Sequence, residues 1–403
     1  MNLKSSQSSL KILHVGKYFE PHRGGIETYL KDLMSEQVRQ GLSVAALVHG
    51  SGSSFRSMQE EYRPTDAYSI MLVRAATWFH VGYVPVNPTF ALELNRVVTE
   101  FEPDCIHFHL PNLGALWALL SSRAKKVPWI VTWHSDINTP GAGRLVRWAY
   151  RFYRPFEKRM LSNASLVVAT SESYLEHAPA LHPIRDRCVV LPLGLPQRNV
   201  SVVTDSWTPN SVRSFKCLFV GRLAFYKGVD VLLNALSTTR SIELTIVGDG
   251  PLRKSLVKKI DILGMADKVN LKGSVSGEEL LHCYSDADVV CLPSTDKTEA
   301  FGMVLLEAMQ FGKPIIATDI PGSGVPWVAA HASISRTVPP GNVRALVEAL
   351  ESMRDQYFEN QKAWREQPAS LPSVFRLEPQ VKKLSQLYLN VISRCHGRDH
   401  TEA

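Results

Sequence analysis

The sequence predicts an α/β fold made of two doubly wound halves in tandem. Three observations predict it. The 403 residues are too many for one ordinary domain and suit two of similar size. Short apolar runs of strand length alternate with helix-period runs almost throughout. The alternation weakens once, over 192–213, where prolines, Gly194 and polar residues read as a linker. The expected domains are 1–200 and 211–376, followed by a terminal helical segment at 377–397.

In the first half, KILHV (11–15) reads as a buried strand. Over 26–39, Ile26, Tyr29, Leu30, Leu33, Met34 and Val38 share one helical face. Further strands are expected at 44–48, 70–74, 105–109, 129–133 and 166–170. In the second half, strands are expected at 216–220, 243–247, 268–272, 288–293 and 314–318. Helices fit at 228–237, 252–263, 303–311 and 343–354. A last helix, about 378–394, aligns Val381, Leu384, Leu387, Tyr388 and Val391. Such βα alternation predicts parallel sheets covered by helices, with ligands gathering outside the carboxyl ends of the strands.

Composition narrows the function. Apolar residues make up 45% and charged residues 21%, which is globular and not disordered. The net charge of +7 suits an anionic ligand or a membrane surface. No nucleic-acid-binding motif appears, so no nucleic-acid partner is expected. The six cysteines are scattered without a CxxC pair, as core thiols of a reducing compartment are. No metal site is expected. Residues 1–10 lack the apolar core of a secretion signal, and no run approaches the roughly 18 apolar residues of a membrane span. A cytoplasmic protein is expected, either soluble or peripheral at the inner face of the cytoplasmic membrane.

The strongest chemical signal is TEAFGMVLLEAM, 298–309. Glu299 precedes an expected helix start and Glu307 lies one to two turns inside it. Free N–H groups at such a start, around Phe301, Gly302, Met303 and Val304, attract phosphate. A carboxylate accepts two hydroxyl hydrogen bonds, as a sugar or ribose requires. Taken alone, the pair fits equally a capping carboxylate and a surface Glu. The second signal is GRLAFYKGVD, 221–230, a strand-to-helix loop carrying Arg222 and Lys227. A guanidinium fork and a compact ammonium together neutralise a diphosphate leaving group. The third is Gly24-Gly25 before the first helix, where a bare backbone admits an anion; a plain tight turn fits as well.

His107 and His109 lie on one strand and are assigned here to opposite sides, with His109, nearer the strand end, the better acceptor-side candidate. His134 ends a buried strand, and its expected work is a hydrogen bond to the donor sugar or diphosphate. Asp136 follows it, as an acceptor-side group or a helix cap. In VGDGPLR (247–253), Gly248 is expected to let backbone approach a nucleotide. The segment 143–160 places Arg144, Arg147, Arg151, Arg154 and Lys158 at helical spacing. Leu145, Ala149, Phe152, Phe156 and Met160 form its other face, as in a membrane-surface helix; a domain helix with a solvated basic face fits equally.

Together these residues resemble the GT4 family of retaining glycosyltransferases. GRLAFYKG looks like the family's G-R-x5-K-G loop, and EAFGMVLLEAM like its E-x7-E signature. VGDGPLR, GKPIIATDIPG, GGIE and HSD fit its flanking motifs. The resemblance implies a GT-B fold: two Rossmann-like domains facing a central cleft, with the last helix crossing back to the first domain. It implies an acceptor-binding first domain and a nucleotide-sugar-binding second domain. Arg222 and Lys227 would hold the donor diphosphate, and Glu307 the ribose. Glu299 would contact the transferred sugar, His134 would line the reaction centre, and Val275 would lie near the base. No cofactor is implied, because the nucleotide-diphosphate sugar is a substrate and metal is dispensable. The stretch 299–328 is similar to members that build bacterial surface polysaccharides, lipopolysaccharide among them, on lipid carriers with mannose- or rhamnose-type donors. That favours a GDP-mannose-like donor and a glycan or polyprenyl-linked acceptor, with an anionic membrane surface as a further partner. Gly277 stands where a guanine-reading Asp would be expected, which keeps UDP-sugars open. Rival readings are a GT-B-fold sugar-nucleotide epimerase and a non-catalytic scaffold.

Overall fold

A computed structural model describes residues 9–22, 24–50, 52–81, 84–137, 144–198 and 214–399. The chain forms two compact units. The first comprises Met1–Asn138, Ala142–Pro196 and Leu377–Ala403; the second comprises Thr139–Gly141 and Gln197–Arg376. Most of the expected linker, from 199 to 213, lies outside the described residues.

The first unit is built on an eight-stranded sheet. Its strands are β1 (Lys11–Val15), β2 (Ser43–His49), β3 (Met58–Thr65), β4 (Tyr68–Ala75), β5 (Cys105–Leu110), β6 (Trp129–Trp133), β7 (Leu166–Ala169) and β8 (Cys188–Val190). Their order is β8-β7-β6-β5-β1-β2-β4-β3. Only the β3–β4 pair is antiparallel. Every residue of β5 and β6 is buried, as a central parallel strand covered on both faces requires. β3 is exposed along most of its length and serves as the edge.

Helix α1 (Gly25–Arg39) buries Leu30, Leu33, Met34 and Val38, each worth roughly 2 kcal/mol of apolar burial. Leu30, Met34 and Val38 pack with Phe19, Val44, Ala46, Val48, Ile70 and Leu72 in one core cluster. Further along the chain come α2 (Phe90–Phe101) and α3 (Arg144–Asn163). The terminal helix, Leu377–Asp399, packs against α1 within this unit and buries Val381, Leu384, Tyr388 and Val391.

Two expectations change here. His107 and His109 share a face, because residues two apart on a strand always do; their rings stack with centroids 4.5 Å apart. Phe152 and Phe156 of α3 do not share one face with Met160, which is buried. They are 59% and 53% exposed, beside Trp148 at 63%. Tyr153, Glu157, Met160 and Leu161 turn inward instead. The side chain of Leu145 lies outside the described residues. Pro155 sits inside the helix without ending it.

The second unit holds β9 (Phe215–Val220), β10 (Ile242–Val247), β11 (Val269–Gly273), β12 (Val289–Leu292), β13 (Ile315–Thr318) and β14 (Ser335–Val338). The order is β11-β10-β9-β12-β13-β14, parallel throughout. Chain direction across the sheet reverses between β9 and β12, so a crevice is expected outside their carboxyl ends. Helices α4 (Val229–Thr238), α5 (Arg253–Ile262), α6 (Gly277–Asp286), α7 (Met303–Gln310) and α8 (Val343–Glu359) follow in sequence. The terminal helix Leu377–Asp399 is α9.

Candidate functional site

In the second unit the loops after β9 and β12 meet at that reversal. Gly228 has φ +65°, and a Cβ there would lie 2.0 Å from the Pro293 carbonyl oxygen. Only glycine admits this approach. Thr295 N–H donates to the Tyr226 carbonyl at 2.7 Å and pins the same two loops.

The contact brings Lys227 to Glu299. Their side chains form an ion pair and are only 12% and 11% exposed. Ser294 Oγ donates to the Glu299 carboxylate at 3.1 Å. Ser323 Oγ donates to the Glu299 carbonyl at 2.5 Å. Burial opposes charge on Lys227, but the Glu299 carboxylate outweighs it and holds the ammonium above its usual pKa. The ammonium also lies 5.6 Å from the centre of the Tyr226 ring. Arg222, at the start of this loop, is exposed.

Gly302 caps α7 with φ +82° and offers no side-chain cap to the first-turn amides. Phe301 is buried against Phe375 and Trp327, so its side chain is packing and its backbone is what a ligand can meet. Met303 and Val304 open the helix. Inside it, Glu307 accepts a hydrogen bond from the Tyr284 hydroxyl. Burial first, and then the Glu307 charge, push the Tyr284 pKa well up, so it stays a donor. Val275 is buried between β11 and α6.

Gly248 follows β10 with φ +129°. A Cβ there would fall 2.0 Å from the Gly221 carbonyl oxygen, so the space is taken by the neighbouring loop. The glycine serves loop-on-loop packing.

The first unit presents a different arrangement. Gly24 caps α1 in an extended conformation and Gly25 begins the helix. Asp136 is buried; its carboxylate accepts from Trp133 Nε1 at 3.0 Å, and its N–H donates to the Tyr174 hydroxyl at 2.6 Å. It lies eight residues before α3 and is not that helix's cap.

His134, His109 and His14 form a continuous line. His134 Nε2 lies 3.0 Å from His109 Nδ1, and His109 Nε2 lies 3.0 Å from His14 Nδ1. His14 Nε2 lies 2.7 Å from Gln37 Oε1. Gln37 Nε2 donates to the Tyr388 hydroxyl at 3.1 Å. That hydroxyl is 2.6 Å from His107 Nδ1, and His107 Nε2 is 2.7 Å from Thr132 Oγ1. Burial pushes the His14 pKa down to about 4, against the Gln37 bond, and the His134 pKa down to about 3. It pushes His107 and His109 well down too. All four are neutral at pH 7.

His14, His107 and His109 have ring nitrogens within 4.8 Å of one another, close enough to share a metal ion. Each of those six nitrogens, however, has a protein hydrogen-bond partner. A metal would have to displace them.

Sequence reasoning passed over His14, Gln37, Tyr284, Ser294 and Tyr388 as site residues. The signal was present in part: His14 interrupts an apolar strand, and Gln37 lies on the buried stripe of α1.

Two family models match the chain. One, "Glycosyl transferase 4-like domain", covers residues 24–194; the other, "Glycosyl transferases group 1", covers 208–369. The chain is 27% identical to the O-antigen chain mannosyltransferase C of Escherichia coli, over 88% of this chain and 92% of that protein. It is 28% identical to the D-rhamnosyltransferase WbpZ of Pseudomonas aeruginosa, over 85% and 86%. The fold matches sucrose-phosphate synthase from Thermosynechococcus elongatus with a TM-score of 0.73 at 18% identity, covering 96% of this chain and all of that one. With both units matched, and with the fold of those structures, the chain belongs to the GT4 family and is a GT-B glycosyltransferase.

Proposed function

We propose that the protein transfers a hexose, with retention at the anomeric carbon and without a metal, from a nucleotide-diphosphate sugar to a glycan or polyprenyl-linked acceptor in surface-polysaccharide synthesis. The observation that carries this is the buried Lys227–Glu299 pair at the sheet reversal, beside Arg222 and the uncapped start of α7. Lys227 and Arg222 hold the diphosphate and neutralise it as it leaves. Backbone at Phe301–Val304 binds phosphate or sugar. Glu299 accepts hydroxyl hydrogen bonds from the transferred hexose, Glu307 from the ribose, and Val275 lies against the base. Lys227 lies beside Glu299, so one donor spans both groups. In the first unit, His134 is assigned to a substrate group, Gly24-Gly25 to a phosphate or acceptor group, and His109 and Asp136 to the acceptor side.

A GDP-mannose-like donor is favoured by the sugars named for the two relatives. A UDP-sugar is the second candidate, since Gly277 offers no side chain to read guanine. The epimerase alternative finds no support in those relatives. Among the described residues no helix is long and apolar enough to cross a membrane. A lipid acceptor is then met at the surface, through α3, at the inner face of the cytoplasmic membrane. A panel of GDP- and UDP-sugars, assayed with and without EDTA and read by NMR of the product, tests the reading. Transfer with retained configuration in EDTA is expected. Inversion, or activity lost to EDTA and restored by Mn²⁺, would overturn it.

A further inference from the structure

The hydrogen bonds around the four histidines run in one direction. Gln37 Oε1 can only accept, so His14 Nε2 carries the proton and His14 Nδ1 is a lone pair. His109 Nε2 must then donate to it, which leaves His109 Nδ1 bare. His134 Nε2 must donate to that, which leaves His134 Nδ1 bare. At the other end, Gln37 Nε2 donates to Tyr388, so the Tyr388 hydroxyl is free to donate to His107 Nδ1. His107 Nε2–H then donates to Thr132. Neutral imidazole has one donor and one acceptor, so no member can reverse alone. His134 Nδ1 is buried and has no partner among the described residues. An unmet polar atom in such a place is destabilising, so it marks where a ligand group completes the line.

We propose that Tyr388, Gln37, His14 and His109 are positioning residues that fix His134 as the Nε2–H tautomer, so that its Nδ1 accepts a hydrogen bond from a substrate hydroxyl and cannot donate one to a diphosphate. This rests on the glycosyltransferase reading above. It adds a direction to it: a bare nitrogen pairs with an O–H and repels a phosphate oxygen, so His134 reads a substrate hydroxyl. It also gives α9 a task, since the line is anchored on Tyr388, 351 residues from Gln37 and 281 from His107.

The test uses the full chain, labelled with ¹⁵N at histidine, and the two variants Tyr388→Phe and His109→Gln. Long-range ¹H–¹⁵N spectra report which ring nitrogen carries each proton. The wild type should show His134 protonated at Nε2 only. In Tyr388→Phe, Gln37 loses its anchor, and His134, four hydrogen bonds away, should become a mixture of tautomers. With the donor that the panel identifies, kcat should fall about tenfold while the donor KM changes less than twofold. His109→Gln should act likewise. An Nδ1–H His134 in the wild type overturns the proposal. So does an unchanged His134 signal in both variants, or a changed tautomer with unchanged kcat. If no sugar nucleotide is turned over by wild type, the functional reading fails, while the tautomer spectra still decide the direction of the line.

Discussion

At the scale of the residue, Arg222 and Lys227 differ in a way their shared loop conceals. Arg222 is exposed, while Lys227 is nearly buried against Glu299. Arg222→Ala should raise the donor KM by about 10- to 100-fold, the loss of one charge-assisted contact worth about 1.5–3 kcal/mol. Its urea midpoint should stay near wild type. Lys227→Ala should lose donor binding and stability together, the latter by about 3 kcal/mol, because Glu299 is left as an unpaired buried charge. Adding Glu299→Gln should restore stability without activity. If Lys227→Ala unfolds like wild type, the pair is not buried as described. Glu157 offers a second measurement. Burial, reinforced by Asp136 and opposed by the Tyr150 hydrogen bond, pushes its pKa up to about 7. The folded state keeps a proton that the unfolded chain has lost, so stability falls as pH rises from about 4.5 to 7 and is then flat. The melting-temperature difference between Glu157→Gln and wild type should shift in favour of the variant across that window. A pH-independent difference would place the proton elsewhere.

At the scale of the element, α3 carries a stripe of Trp148, Phe152 and Phe156 at i, i+4, i+8, all exposed and flanked by Arg147, Arg151, Arg154 and Lys158. Three solvated aromatics on one stripe have no use in a soluble core, and they fit the interfacial region of a bilayer. Each basic residue near an anionic leaflet is worth about 1 kcal/mol. Replacing Arg144, Arg147 and Arg151 by Glu should abolish sedimentation with anionic vesicles and reduce transfer to a lipid acceptor, with donor KM unchanged. Replacing Trp148, Phe152 and Phe156 by Ser should do the same without altering charge. Normal vesicle binding in both sets would make α3 an ordinary packing helix. The elements legible in the sequence were those with a buried face. β5, β6, β9 and β12 read as apolar runs because both their faces are covered. β3 and β14 gave no such signal: both are edge strands, β3 mostly exposed and β14 with only Val338 buried. The single apolar face expected for α3 divides instead, with Phe152 and Phe156 exposed and Met160 buried. The site was legible where chemistry lies close in sequence, as in 221–230 and 298–309. It was illegible where residues meet only through the fold, as Tyr388 meets Gln37 and His107.

At the scale of the whole molecule, the two units distribute their ionisable groups unequally. Five buried histidines with depressed pKa values lie in the first unit: His14, His49, His107, His109 and His134. The second unit has His282 and His331, both exposed. Burial is the leading cause of each depression, so folding holds these rings neutral while the unfolded chain takes up protons below about 6.5. Their contribution is complete above that value and is lost as pH falls toward about 4, at about 1.4 kcal/mol per pH unit for each ring. Between pH 6.5 and 5.5 ordinary carboxylates are still ionised, so in that interval the five histidines are opposed only by Glu157, whose single contribution has the other sign. A chain of two domains need not unfold in one step. Calorimetry from pH 7.5 to 5.5 should show two transitions, of which one falls steeply with acid and the other barely moves. A nucleotide diphosphate should raise the acid-insensitive transition, because ligand binding to the native state adds stability by mass action. The charge-reversed α3 variant should leave that rise intact. If acid lowers both transitions equally, or if nucleotide raises only the acid-sensitive one, then the donor groups and the histidine line do not belong to separately stable units.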